Sequence, residues 1–221
     1  MDVRRRQAIG VGVATSLAFA SGLSAAAASE TGPKSEPQDA WLDQGGRRHR
    51  IVFDTISANG LGSGMRFAEN FFVANREALN IPANELSVLI IVRHMSTPLI
   101  FNDRIWDKYG DFLIGRTQIF DPRTKAPPRS NLYNTDLSNH ELPNRNVKFT
   151  DLSRLGARFA VCAMASKDIA VAVAQNVNGE ADAILKEFEA NLVCDTALMV
   201  PAGILIVNRA QEHGYTFSYC G

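Results

Sequence analysis

The chain has 221 residues, 46% of them apolar and 21% charged, which is the balance of a globular protein and too rich in core formers for a disordered one. Its 23 basic and 23 acidic side chains cancel, setting aside a nucleic-acid binder with a basic excess. Three cysteines are too few for a disulfide scaffold, and no pair has the spacing of a zinc knuckle.

At the start, Arg4, Arg5 and Arg6 precede an uncharged run from Gln7 to Ser29 that contains Ala26-Ala27-Ala28. That is the order of a positively charged n-region, an apolar h-region and a small-residue cleavage site, and the arginines resemble a twin-arginine export signal. The apolar stretch falls short of the roughly 20 strongly apolar residues a spanning helix needs. Residues 1–28 are therefore expected to be a cleaved signal peptide, which leaves no stable membrane span and places the mature protein in the periplasm or outside the cell. Cleavage after Ala28 would leave 20 basic and 22 acidic side chains, close to neutral. Residues 29–46, rich in Ser, Glu, Gly and Pro, read as a flexible linker, and 47–221 as the folded domain.

Arg50-Ile-Val-Phe-Asp54 reads as a first strand, Gly60-Leu-Gly-Ser-Gly64 as a glycine loop allowing a tight turn, and Met65 to Leu79 as a helix. Leu86 to Val92 is a continuous apolar run, the pattern of a strand buried on both faces of a parallel sheet. A short helix follows over Asp103 to Tyr109, then a third strand over Arg158 to Cys162. Helical segments are expected over Lys167 to Asn176 and Ala181 to Ala190, and a fourth strand over Ala197 to Val200. Pro201 and Gly203 open a last helix to His213, and Tyr215 to Tyr219 is a fifth strand. Strands alternating with helices predict an α/β fold: a single three-layer domain with a mainly parallel, about five-stranded sheet flanked by helices. Gly110 to Lys148 shows neither period and holds four prolines; it reads as an irregular insertion across the top or edge of the sheet.

Val161-Cys162-Ala163-Met164-Ala165, and above all Val200-Pro-Ala-Gly-Ile204 through Asn208-Arg-Ala-Gln-Glu-His-Gly-Tyr215, resemble the DsrE/DsrF-like family of sulfur-relay proteins. The resemblance extends in element order over about Arg48 to Tyr219. It implies a parallel α/β sheet with flavodoxin-like layering, a homo-oligomer, and sulfur carried as a persulfide on a cysteine after the third strand, here Cys162. A protein that donates or accepts that sulfur is the implied partner. The export signal and the long insertion depart from the simple family plan.

The position of Cys162 carries an argument of its own. In an open α/β sheet, ligands bind beyond the C-terminal strand ends, and Cys162 ends a strand there. A helix starting at Ala163 to Ser166 would turn its free N–H groups and dipole toward the sulfur and favour the thiolate, the form that attacks sulfur. Arg93 and His94 follow strand two on the same rim and suit an anionic sulfur or substrate. Asp54 follows strand one, and Met164 lies beside the cysteine. A rival set, His94, Met95, Cys162 and Met164, would suit copper by ligand softness, but no ligand pair has a motif spacing. Gly60-x-Gly62-x-Gly64 misses the dinucleotide fingerprint, because Met65 stands at the third glycine position and no acid ends strand two. No cofactor is therefore expected. Two functions follow: an exported sulfur carrier working through Cys162, or a non-catalytic oligomeric module of the same fold that binds a small ligand or partner.

The signal predicts a mature N-terminus within a few residues of Ser29. Intact-mass measurement of the protein recovered from the cell envelope checks it; a full-length chain in the cytosol is the contrary result.

Overall fold

The computed structural model describes residues 39–136 and 141–221. The expected signal segment and the linker up to residue 38 lie outside the described residues.

Five strands form one sheet: β1 (His49–Thr55), β2 (Leu86–Val92), β3 (Arg158–Cys162), β4 (Ala197–Val200) and β5 (Thr216–Cys220). They run in the order β4-β3-β2-β1-β5, and every pairing is parallel. Central β2 is buried at all seven positions, as its unbroken apolar run predicts. The strands end level, with Thr55 opposite both Val92 and Cys220, and Cys162 opposite Val200.

From β1 through β4 the chain steps one way across the sheet, and its connecting helices cover a single face. These are α1 (Ala58–Leu79), α2 (Asp103–Thr117), α3 (Phe149–Arg154), α4 (Ala163–Val177) and α5 (Ala181–Glu189). Their core includes Leu61, Met65, Phe72, Trp106, Ile169 and Phe188 against Phe53, Val88 and Ile90 of the sheet. The last connection leaps back from β4 past three strands to β5. A right-handed crossover in that direction puts its helix, α6 (Gly203–Glu212), on the opposite face, so the fold has the three layers of a flavodoxin-like domain. There Ile206, Val207 and Ala210 pack on Val52, Leu89, Ile91 and Ala160. Among the described residues, no helix is long and apolar enough to cross a membrane.

Three local expectations are corrected. Gly60, Gly62 and Gly64 lie inside α1, which Ser57 caps by accepting the Gly60 N–H at 2.9 Å, so they form no loop. They serve close packing instead: a Cβ on Gly60 would come 2.3 Å from the Cys220 carbonyl oxygen, and one on Gly62 would come 2.5 Å from Pro143 Cβ. The linker ends before Gly46. From Asp39 the chain is docked on the α6 face, because α6 alone is too narrow to cover it. Leu42 is fully buried in that core, and a 3-10 turn spans Ala40–Asp43. Asp39 pairs with Arg209, and Asp43 accepts from His213 at 3.0 Å and from Arg50 at 3.3 Å.

The insertion begins later than Gly110, since α2 continues to Thr117, and its irregular remainder packs on the first helical face. The Tyr133 hydroxyl donates to the Ala58 carbonyl at 2.9 Å, and Asn131 Nδ2 donates to the carbonyls of Leu99 and Phe101, each at 2.7 Å. Cys220, penultimate in the chain, is held in β5 and buried.

Gly60→Ala is expected to lower the unfolding free energy by about 1–3 kcal/mol, since overpacked backbone cannot yield. Gly115→Ala in α2, where nothing lies within 4 Å of a new Cβ, should raise it by about 0.5–1 kcal/mol. Urea unfolding of both variants checks the contrast.

Candidate functional site

β3 and β4 are neighbours whose connections leave in opposite directions, β3 into α4 on one face and β4 into α6 on the other. Such divergence opens a crevice at the C-terminal edge of an α/β sheet, the place where ligands bind in these folds. Cys162 ends β3 at that point and Val200 stands opposite it. The crevice has a volume of about 220 Å³ and is lined by Cys162, Met164 and Asp168 from the β3–α4 side, Gly203 from α6, and Arg93, His94 and Arg116.

Cys162 is a free cysteine, 7% exposed as a residue, and its sulfur makes no hydrogen bond among the described residues. Cys162 is the N-cap of α4, and Ala202 is the N-cap of α6; neither helix has a side-chain cap or an acid in its first turn. The first N–H groups of both helices therefore stay unspent beside one cavity.

Arg93 is held by a buried partner. Its Nε donates to Asp54 Oδ1 at 2.7 Å and its Nη2 to Oδ2 at 2.8 Å, a bidentate pair in which the Asp54 side chain is 4% exposed and that of Arg93 24%. The hydrogen bond with Asp54 raises the Arg93 pKa above its ordinary value, against the opposing effect of burial. Gly203 lets α6 begin directly on the Arg93 stem; a Cβ there would meet Arg93 Cβ and Cδ at 2.9 Å.

His94 follows with φ 58°, a left-handed conformation uncommon outside glycine. The turn is pinned on both sides: Arg93 N–H donates to Ser96 Oγ at 3.1 Å, and Met95 N–H to the Ile56 carbonyl at 3.0 Å. Thr55 Oγ1 donates to the Ile91 carbonyl at 2.7 Å and ties β1 to β2 just below. This scaffolding over-determines the backbone and holds His94 exposed at the rim.

Of the residues singled out from the sequence, Cys162, Met164, Arg93 and His94 line the cavity together, and Asp54 stands behind Arg93 as its anchor. Met95 lies elsewhere, in a groove between α2 and α4 with Phe112 and Ile169, so of the four soft ligands of the copper alternative only His94, Cys162 and Met164 share the cavity. Arg116 and Asp168 were not legible. Arg116 arrives from the last turn of α2 with no local signal, and Asp168 only shares a helical face with Met164. Gly203 had a signal, as the glycine opening the last helix.

The other thiols differ in kind. Burial pushes both the Cys194 and Cys220 thiols up, and neither lines the crevice. A larger depression of about 410 Å³ between α2, α4 and α5 holds Lys108, Tyr109 and Glu187, but their polar atoms are spent on one another: Lys108 Nζ and the Tyr109 hydroxyl donate to Glu187 at 2.7 and 2.8 Å. No protein-family model matches the chain, and no curated protein matches it.

Arg93→Ala would strand the Asp54 carboxylate, and a loss of about 3 kcal/mol is expected from breaking such a pair. The double variant Asp54→Leu/Arg93→Met removes both charges and should recover most of that loss. Urea unfolding of the two variants and the wild type checks this; equal destabilisation of the single and double variants would contradict it.

Proposed function

We propose that this is an exported sulfur-handling protein that carries sulfane sulfur as a persulfide on Cys162. The observation that carries the reading is an unpartnered, nearly buried thiol placed between two uncapped helix starts at the divergence of β3 and β4. A persulfide adds one sulfur beyond Sγ and bears its charge there. Helix N-termini stabilise such an anion through unspent N–H groups and dipole, and Arg93 adds a fixed cation. The cavity gives the added sulfur room, and the shielding of Cys162 limits side reactions with bulk oxidants. His94 and Met164 on the rim are placed to contact an arriving donor or acceptor.

The resemblance of the Cys162 and Val200 to Tyr215 segments to DsrE/DsrF-like proteins supports the same reading, and the arginine-led N-terminal segment supports export. Self-association belongs to the proposal. Leu198, Ile204, Leu205, Phe217 and Tyr219 are each at least 45% exposed on α6 or on the strands whose side chains face it, an apolar surface of the sort that oligomers cover.

After reduction, incubation with glutathione persulfide should add one sulfur atom per chain to the wild type, to Cys194→Ser and to Cys220→Ser, and none to Cys162→Ser, as read by intact mass. Equal loading of Cys162→Ser and the wild type would remove the carrier role and leave a non-catalytic binding module.

A further inference from the structure

We infer that the immediate sulfur donor is a small sulfur oxyanion of the thiosulfate type, held in the Cys162 crevice by Arg116, the open edge of Arg93 and the starts of α4 and α6. This rests on the sulfur-carrier reading of Cys162 and goes on to name what loads it.

Several hydrogen-bond donors at the crevice are left unused by the rest of the protein. Arg93 spends Nε and Nη2 on Asp54, while its Nη1 makes no hydrogen bond among the described residues. Arg116 is half-buried at the crevice and has neither an ion pair nor a side-chain hydrogen bond among the described residues. α4 and α6, of 15 and 10 residues, both start at the cavity without a capping side chain. Cys162, more than nine-tenths buried and unpartnered, lines the space between them.

The charges on the rim can be balanced. Asp54 offsets Arg93, and Asp168, which is exposed, is the carboxylate that lines the crevice without pairing with Arg116. What remains is a surplus of hydrogen-bond donors over acceptors, arranged around a cavity of about 220 Å³. A persulfide sulfur is a single acceptor atom and cannot use all of these donors at once. The additional donors on the α6 and α2 sides suit a polyatomic oxyanion, whose several oxygens accept from different directions. The space is several times the roughly 30 Å³ share of a water molecule, enough for such an ion.

The transfer balances without a co-reactant. The thiol proton leaves to solvent, and the Cys162 thiolate attacks the terminal sulfur of thiosulfate. The Sγ–S bond forms as the S–S bond of thiosulfate breaks, and the bonding pair departs on sulfite. The Cys162 sulfur is formally oxidised, the sulfonate sulfur is formally reduced, and the transferred sulfur keeps its oxidation level. The same donors that hold the sulfonate oxygens stabilise the departing sulfite.

Calorimetric titration of Cys162→Ala with thiosulfate separates binding from transfer. Saturable binding is expected, weakened about tenfold when Arg116→Gln is added, the scale of one lost charge-assisted hydrogen bond. Arg76→Gln, at the far end of α1, should leave it unchanged. In parallel, wild type given thiosulfate should gain one sulfur by mass and release an equal amount of sulfite. Absent binding, or binding indifferent to Arg116→Gln, would overturn the inference. If glutathione persulfide still loaded Cys162 in that case, the carrier reading would stand alone. Thiosulfate binding with no sulfur gained from either donor would overturn both.

Discussion

The return crossover from β4 to β5 is the constraint on which the rest of the structure depends. Four strands laid down in one direction place all their helices on one face, and the sheet would bury only that face. The single leap back across three strands, made right-handed, carries α6 to the other side and closes the third layer. It also obliges two adjacent strand ends to part. Cys162 stands at that parting, so the topology that covers the second face is also what opens a crevice at the thiol.

The crevice keeps its shape through a buried ion pair and a glycine. Asp54 alone at 4% exposure would be a costly charge, and Arg93 offsets it with two parallel hydrogen bonds. The pair fixes a guanidinium at the rim, where a free arginine would lose side-chain entropy on ordering. Gly203 then lets the first turn of α6 approach the Arg93 stem more closely than any side chain permits. Position of charge and position of helix are set by the same contact.

The second face remains the thinner one. Its core is completed by Leu42 and Trp41, brought in by a segment that precedes the first strand and is tied down by Asp39 and Asp43 to Arg209, His213 and Arg50. Exposed apolar side chains on this side include Leu198 and Phe217 on the two edge strands and Ile204 and Leu205 on α6. Burial is generous where five helices share a face and sparse where one helix works with a short strap.

Strands and helices were legible because their signals are local. The unbroken apolar run of Leu86 to Val92, the alternation of strand and helix, and Cys162 at the end of β3 followed at once by a helix are all properties of short windows. Asp54, Arg93, His94, Cys162 and Met164 could be placed on one rim from strand ends alone, since parallel strands finish on the same edge. Nothing local showed that Gly60 and Gly62 sit within a helix, because their reason is the backbone of Cys220 and the side chain of Pro143, distant in sequence. Nor did the polar composition around Asp39 show a docked strap, whose partners lie as much as 170 residues away. The pairing of Asp54 with Arg93, the arrival of Arg116, and the meeting of two helix starts at one thiol were decided by tertiary structure, because each depends on which strands are neighbours and on which face each crossover takes.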